Sequence, residues 1–211
     1  MPDPDAPPAN YHHGNLREAL IQAAVQLVEE GGPDKVSMRE AAKRAGVSPG
    51  APFRHFANKT ALMTAVAEQA TSRFRAEIAA AVENLSTVDP VDRFAAVGIA
   101  YLRWAIRNPT HFQIVSTRSL IDWDSSASLR QDNQAIRALM EDAMQDAQRR
   151  GMLRSNDLAQ TQIAGRALVY GLARMFSDGH FAQWGIGGES AERTVEKVLE
   201  HFVSLTRKDL P

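Results

Sequence analysis

The stretch Val36-Ser37-Met38-Arg39-Glu40-Ala41-Ala42-Lys43-Arg44-Ala45-Gly46-Val47-Ser48-Pro49-Gly50-Ala51-Pro52-Phe53-Arg54-His55-Phe56-Ala57-Asn58-Lys59 decides how this 211-residue chain is read. Ser37 is a favoured N-cap, because its hydroxyl can accept from an amide that the first helical turn leaves unpaired. It predicts a helix of about two turns ending near Arg44. Ala45-Gly46-Val47 then forms a three-residue turn, with Gly46 free to take positive φ. Ser48 caps a second short helix with Pro49 at its favoured first position. Pro52 falls in the first turn of that helix, where it removes only the earliest intrahelical bond. Ala42 is small where the two helices cross, and Val47 and Phe56 close a little core. Two short helices joined by a glycine turn describe a helix-turn-helix, whose second helix fits a DNA major groove about 12 Å wide. From spacing alone, an ordinary helical hairpin with a charged outer face is the other reading.

Charge supports the first reading. From Lys35 to Lys59 the basic residues Lys35, Arg39, Lys43, Arg44, Arg54 and Lys59 meet Glu40 alone, a net +5 in a chain whose total is −1. The rest is therefore acidic, and such segregation describes a local anion-binding face on a protein that is not basic overall. Lys35, Arg39 and Lys59 supply mobile charge toward phosphate, and the capped helix starts at Ser37 and Ser48 present N–H groups to it.

Outward from this stretch every recognisable segment is helical. Leu16, Leu20, Ala23 and Leu27 form one face of a helix from Asn15 to Glu30, stopped by Gly31-Gly32-Pro33. Asn58 or Thr60 opens a helix carrying Leu62, Val66, Phe74, Ile78, Val82 and Leu85. Beyond Asp89-Pro90 a helix runs to Asn108-Pro109, residues 111–117 form a short one, and IDWDSSAS (121–128) is loop. Helices then span about 128–150, about 157–178 and about 189–207, with Gly185, Gly187 and Gly188 in the last loop. No period-2 pattern of useful length indicates a strand. The expected architecture is all-α with about nine helices: a disordered tail over 1–10, a three-helix DNA-binding domain over 11–60, and a larger helical ligand-binding and dimerisation bundle over 61–211.

Composition removes whole classes of function. With no cysteine there are no disulfides, thiol nucleophiles or Cys-ligated metals. The six histidines are scattered; His12 and His13 would point apart on a helix, and no metal site or cofactor is expected. No apolar run is long enough to span a membrane. MPDPDAPPAN is acidic and Pro-rich, unlike a signal peptide, so a cytoplasmic location is expected. Pairs such as Glu29-Glu30 and Glu141-Asp142 read as solvated charge, and no nucleotide-binding or hydrolase motif is present. An enzyme therefore lacks a site.

The segment Tyr11-His12-His13-Gly14-Asn15-Leu16-Arg17, together with Val36-Ser37-Met38-Arg39, Ala42, Ala45-Gly46-Val47-Ser48, Phe53-Arg54-His55-Phe56 and Asn58-Lys59 followed by Leu62, resembles the tetracycline-repressor (TetR) family of bacterial regulators. The resemblance implies a transcriptional repressor that binds a palindromic double-stranded operator as a homodimer through its last two helices. A small-molecule effector in the C-terminal domain would modulate it. By position, Arg39 resembles a base-contacting residue, while Ser37, Ser48, Phe53, His55 and Lys59 match positions that touch phosphate or place the recognition helix. Gly50, Ala51 and Arg54 are the remaining groove-facing candidates. Ala51-Pro52-Phe53 stands where the family usually has Thr-Leu-Tyr, so a phosphate-binding hydroxyl is missing and base reading falls to Arg39 and Arg54. The segment 164–172 resembles a subgroup with Trp, His and Gly, but Arg166 and Tyr170 replace the first two.

For the bundle, Tyr101, Trp104, Phe112, Trp123, Met140, Met144, Arg166 and Tyr170 are the candidate ligand-lining set, although residues at helical spacing also read as core. An arginine in the apolar helix 157–178 is costly unless it meets an anion, a carboxylate partner or solvent. That helix is apolar nearly all round, so it needs partners on two sides. Gly165 and Gly171 would allow close approach there, in a dimer or within the chain. The alternatives to a DNA-binding regulator are a helical small-molecule-binding protein or enzyme whose N-terminal trio is structural, and a helical adaptor for protein partners.

Overall fold

The computed structural model describes residues 16–187 and 189–208. The tail over 1–10, the segment 11–15 and Gly188 lie outside the described residues. Eight α-helices are found among the described residues: α1 (Leu16–Gly31), α2 (Met38–Arg44), α3 (Lys59–Glu83), α4 (Pro90–Arg107), α5 (Pro109–Ser116), α6 (Ala127–Arg149), α7 (Leu158–Ser177) and α8 (Glu189–Thr206). The all-α expectation holds; the difference from nine lies in one element.

That element is the second helix of the 36–59 stretch. Residues Ala51–Arg54 form only a 3-10 turn, with Gly50 at its start and no side-chain cap there. Ser48 is therefore not the helix cap that the sequence implies. The cause is local. Pro52 has no N–H to donate to the Ser48 carbonyl, so the Ala51 N–H closes a tighter turn onto it at 3.0 Å. Downstream, the His55 and Phe56 amides both converge on the Pro52 carbonyl at 2.9 Å. The other half of the motif forms as expected. The Ser37 hydroxyl accepts from the Glu40 amide at 3.1 Å, and Gly46 takes φ 69°. Asn58 caps α3 by accepting from the Ala61 amide at 2.9 Å.

Two apolar clusters share α3. The first joins Leu20, Ile21, Ala24, Val36, Ala41 and Phe56 to Leu62, Met63 and Val66 at the start of α3, with Ile114, Ile121 and Leu129 closing it from the bundle side. The second, centred on α4, joins Phe74 and Ile78 to Phe94, Leu102, Trp104, Met144, Val195 and Leu199. Completely buried side chains of this size each contribute roughly 1.5–3 kcal/mol. Glycine sets two of the helix approaches. A Cβ on Gly98 of α4 would sit 2.8 Å from the Leu199 side chain of α8. One on Gly165 of α7 would sit 3.1 Å from Phe94 and 3.3 Å from Phe202. Gly165 thus serves packing within the chain, whereas Gly171 faces open space.

Polar ties close the bundle. Asp89 caps α4, accepting from the Val91 amide at 2.8 Å, and its other oxygen accepts from Arg207 just beyond α8 at 2.6 Å. Burial pushes the Asp89 carboxyl up, but the Arg207 and backbone hydrogen bonds outweigh it and hold it below the usual value. Leu153 and Arg207 form an isolated bridge that pins the turn after α6 to the end of α8.

His111 on α5 is half-buried, and burial, helped by Arg73 and opposed by Glu29, depresses its pKa below the ordinary 6.5. A depressed histidine adds stability that is complete above its unfolded value and is lost as pH falls through and below it. Melting temperature should therefore fall between pH 7.5 and pH 5.5 more in the native chain than in His111→Gln. Equal falls would remove His111 as the cause.

Candidate nucleic-acid interface and ligand cavity

The 36–59 stretch places its polar residues on one exposed surface. Lys35, Arg39, Ser48, Gly50, Phe53, Arg54 and His55 are exposed, Ser37, Ala51 and Lys59 are half-buried, and Met38, Ala41, Ala42, Pro52 and Phe56 face inward. The six basic residues do not all remain available. Arg44 is taken by Glu30 through two hydrogen bonds of 2.5 and 2.6 Å. Lys59 donates to the Pro33 carbonyl at 2.8 Å, which braces the start of α3 against the turn before α2. Lys35, Arg39, Lys43 and Arg54 form no ion pair with a described residue. Lys43 counted toward the basic stretch in the sequence without being assigned a contact; it lies on the outer face of α2, away from buried Ala41 and Ala42.

Phe53 is 57% exposed, a large ring left open to solvent among the described residues. Beside it the recognition segment is short. A 3-10 turn of four residues rises about 2 Å per residue, so the segment is only about 8 Å long. The Ala51 methyl and the Arg54 guanidinium are what it offers, and Arg39 comes from α2. Both guanidinium groups are exposed on this surface.

The bundle holds a cavity of about 250 Å³ between α3, α4, α5, α6 and α7. Its floor is Thr71, Phe74, Tyr101, Trp104, Phe112 and Ile136, all buried. Half-buried Val115, Ser116 and Trp123 form the wall, and exposed Arg118, Asn133, Arg166 and Tyr170 the rim. The rings make a connected series: Phe74 meets Tyr101 edge-on at 5.4 Å and Trp104 at 4.6 Å, Tyr101 meets Phe112 at 6.3 Å, and Phe112 meets Tyr170 at 6.1 Å. The structure thus gathers six of the eight sequence candidates, Tyr101, Trp104, Phe112, Trp123, Arg166 and Tyr170, around one space. Met140 lines a smaller apolar cleft next to it that shares Tyr101, Ile136 and Arg166. Met144 is completely buried in the core.

Thr71, Ser116, Arg118 and Asn133 were not legible in the sequence. They come from separated elements, and none breaks a periodic pattern. Arg118 lies over the Trp123 ring at 3.9 Å and Arg166 over the Tyr101 ring at 5.2 Å. Neither guanidinium forms an ion pair with a described residue. Burial raises the Tyr101 phenol to about 12, with Arg166 opposing and Tyr170 reinforcing, so it stays protonated.

The segment between α5 and α6 touches both regions. It carries Arg118 and Trp123 into the cavity, and it is tied to the first half of α3. The Asp122 amide donates to the Thr64 hydroxyl at 2.8 Å, and the Ser126 hydroxyl donates to Glu68 at 2.7 Å.

An exposed helix-turn-helix surface followed by a helical bundle around a cavity defines a one-component DNA-binding regulator. Residues 20–66 match the family model for bacterial regulatory proteins of the tetR family, and residues 94–202 match the tetracyclin repressor-like C-terminal domain. The chain belongs to the TetR family of transcriptional regulators. Among curated proteins it is similar to the HTH-type regulator UidR of Escherichia coli, 26% identical over 72% of this chain and 76% of that one. It also resembles YvdT of Bacillus subtilis, 39% identical over 24% of this chain. The matches to YvdT and to BetI of Rhizobium meliloti span only 26% and 39% of those proteins. Among solved structures, a protein of unknown function from a Rhodococcus species superposes with TM-score 0.77 at 26% identity, covering 95% of this chain and all of that one. PfmR of Thermus thermophilus shares the fold, with TM-score 0.70 at 17% identity over 88% of this chain and 97% of its own.

Proposed function

We propose that this chain is a ligand-responsive repressor that binds a palindromic operator as a homodimer in the cytoplasm. Its effector would occupy the α3–α7 cavity. The observation that carries the DNA part is the cluster Lys35, Arg39, Lys43 and Arg54, without ion-pair partners among the described residues, around a helix-turn-helix in a chain that is otherwise acidic. Ser37, Ser48, Phe53, His55 and Lys59 would contact phosphate or hold the recognition segment. Gly50, Ala51 and Arg54 would face the groove, with Arg39 reading a base.

The dimer reading rests on α7 and α8. Ile163 is 69% exposed and Leu205 57%, and Ala164, Ala167 and Val198 are also exposed. Residues 163, 167 and 171 share one helix face, as do 194, 198, 201 and 205. This is the side of α7 that the bundle leaves without the second partner its sequence calls for. The effector reading rests on the cavity and on the domain type; FadR of Bacillus subtilis, a structural neighbour at 18% identity, was solved with stearoyl-CoA.

The test is selection from a random duplex library at near-physiological salt. A recovered palindrome with half-sites about one helical turn or slightly more apart supports a symmetric reader; no enrichment overturns it. On the recovered operator, Arg39→Ala is expected to cost ~1–3 kcal/mol and to relax preference at one base position. An equal loss on every sequence would take away its base-reading role.

A further inference from the structure

The cavity is uneven in its chemistry. Its floor is built from rings, its rim carries two arginines, and none of the described residues lining it is acidic. Each guanidinium lies over a cavity ring, Arg118 over Trp123 at 3.9 Å and Arg166 over Tyr101 at 5.2 Å. Half-buried arginines elsewhere are paired, Arg75 with Asp132, Arg93 with Asp146, Arg207 with Asp89 and Asp92, whereas these two stand at an exposed rim over aromatic rings. Two guanidinium groups at the mouth of one ring-floored space, with no carboxylate among the described residues to pair them, add little to the stability of a protein. They are a good way to hold a carboxylate, which a planar fork of N–H donors binds with directional, charge-assisted hydrogen bonds.

A second observation comes from the opposite end. Thr71 is 4% exposed and its hydroxyl has no hydrogen-bond partner among the described residues. Buried hydroxyls are nearly always satisfied, and this one belongs to a residue of the cavity floor, its oxygen covered in the unliganded chain. The cavity is also small. At about 250 Å³ it falls just below the usual range of ~300–1,000 Å³ for ligand sites.

We propose that the effector is a small aromatic monoanion with a polar group at its far end. Its carboxylate is held at the rim by Arg118 and Arg166, its ring lies among Phe74, Tyr101, Trp104 and Phe112, and its distal hydroxyl or carbonyl meets Thr71 once that side chain turns to its other helical rotamer. This assignment rests on the reading of the cavity as the effector site. Arginines that already lie over cavity rings suit it because the cation–π contact restrains them, so less freedom is lost on binding.

The experiment is calorimetric titration of the 211-residue protein with four probes: cinnamate, 4-hydroxycinnamate, cinnamamide and cinnamylamine. The acids are expected to bind at least ten-fold more tightly than the amide or the amine. Arg118→Gln and Arg166→Gln, both at exposed positions, should each weaken the acids about ten-fold and leave the amide unchanged. Thr71→Val should abolish the gain of 4-hydroxycinnamate over cinnamate while leaving cinnamate itself unmoved. The proposal is overturned if amide or amine binds as well as the acids, if neither arginine variant alters acid binding, or if none of the four binds at 10 mM. The effector reading is judged separately, by whether a bound probe of any charge changes operator affinity. Loss of the dimer in Arg166→Gln would place that residue at the subunit interface and also overturn its role here.

Discussion

Ile163→Glu is expected to yield a folded monomer of 23.2 kDa that has lost at least a hundred-fold in operator affinity. Light scattering should show the halved mass, and binding should be measured on the selected palindrome. The loss is large because two linked reading heads gain about 10²–10⁴ over one through effective concentration alone. Stability of the isolated chain should barely change. Ile163 is mostly in solvent, and such substitutions usually stay within about 0.5 kcal/mol. A dimer that persists in Ile163→Glu and in Leu205→Glu would show that the α7–α8 face is not where two copies meet.

Phe56→Ala carries the second large effect. The ring is 4% exposed and closes the small cluster between α1, α2 and α3. Its amide bonds the Pro52 carbonyl, and the Arg17 guanidinium lies 5.5 Å from its ring centre. Truncating a buried phenylalanine costs about 3–5 kcal/mol, and this cluster is the smaller of the two. Hydrogen exchange should speed up across α1 and α2 while α4 and α7 stay protected, and operator binding should fall below detection. Phe56→Leu should recover most of both. Uniform loss of protection along the whole chain would mean that the two clusters unfold as one.

Much of the fold was legible because its signals are local. Ser37, Asn58 and Asp157 cap helices within sight of the residues they bond, and Gly46 takes positive φ where its turn was expected. Ser126 caps α6 two residues before the helix expected at Ser128. The recognition segment was misread because two rules compete there. Proline at the start of a helix is favourable, but Pro49, Gly50 and Pro52 in four positions leave too few donors and too little propensity to propagate an α-turn. The cavity was half legible. Aromatic residues in a helical bundle narrow the choice, yet nothing local distinguishes Tyr101 at the cavity from Met144 in solid core. Thr71 and Arg118 acquire meaning only when α3 and the 118–126 segment come together. The charge reading had the same limit, since Glu30 lies 14 residues from the arginine it occupies.

The double membership of α3 has a thermodynamic consequence. The helix is continuous from Lys59 to Glu83, contributing Leu62 and Val66 to one cluster and Phe74 and Ile78 to the other. Thr64 and Glu68 are hydrogen-bonded to the segment that bears Arg118 and Trp123. If occupation of the cavity changes operator affinity by some factor, operator must change cavity affinity by the same factor. A small molecule that displaces this protein from DNA is therefore held more weakly by the DNA-bound form. The concentration at which it acts in a cell then depends on how many operators are occupied.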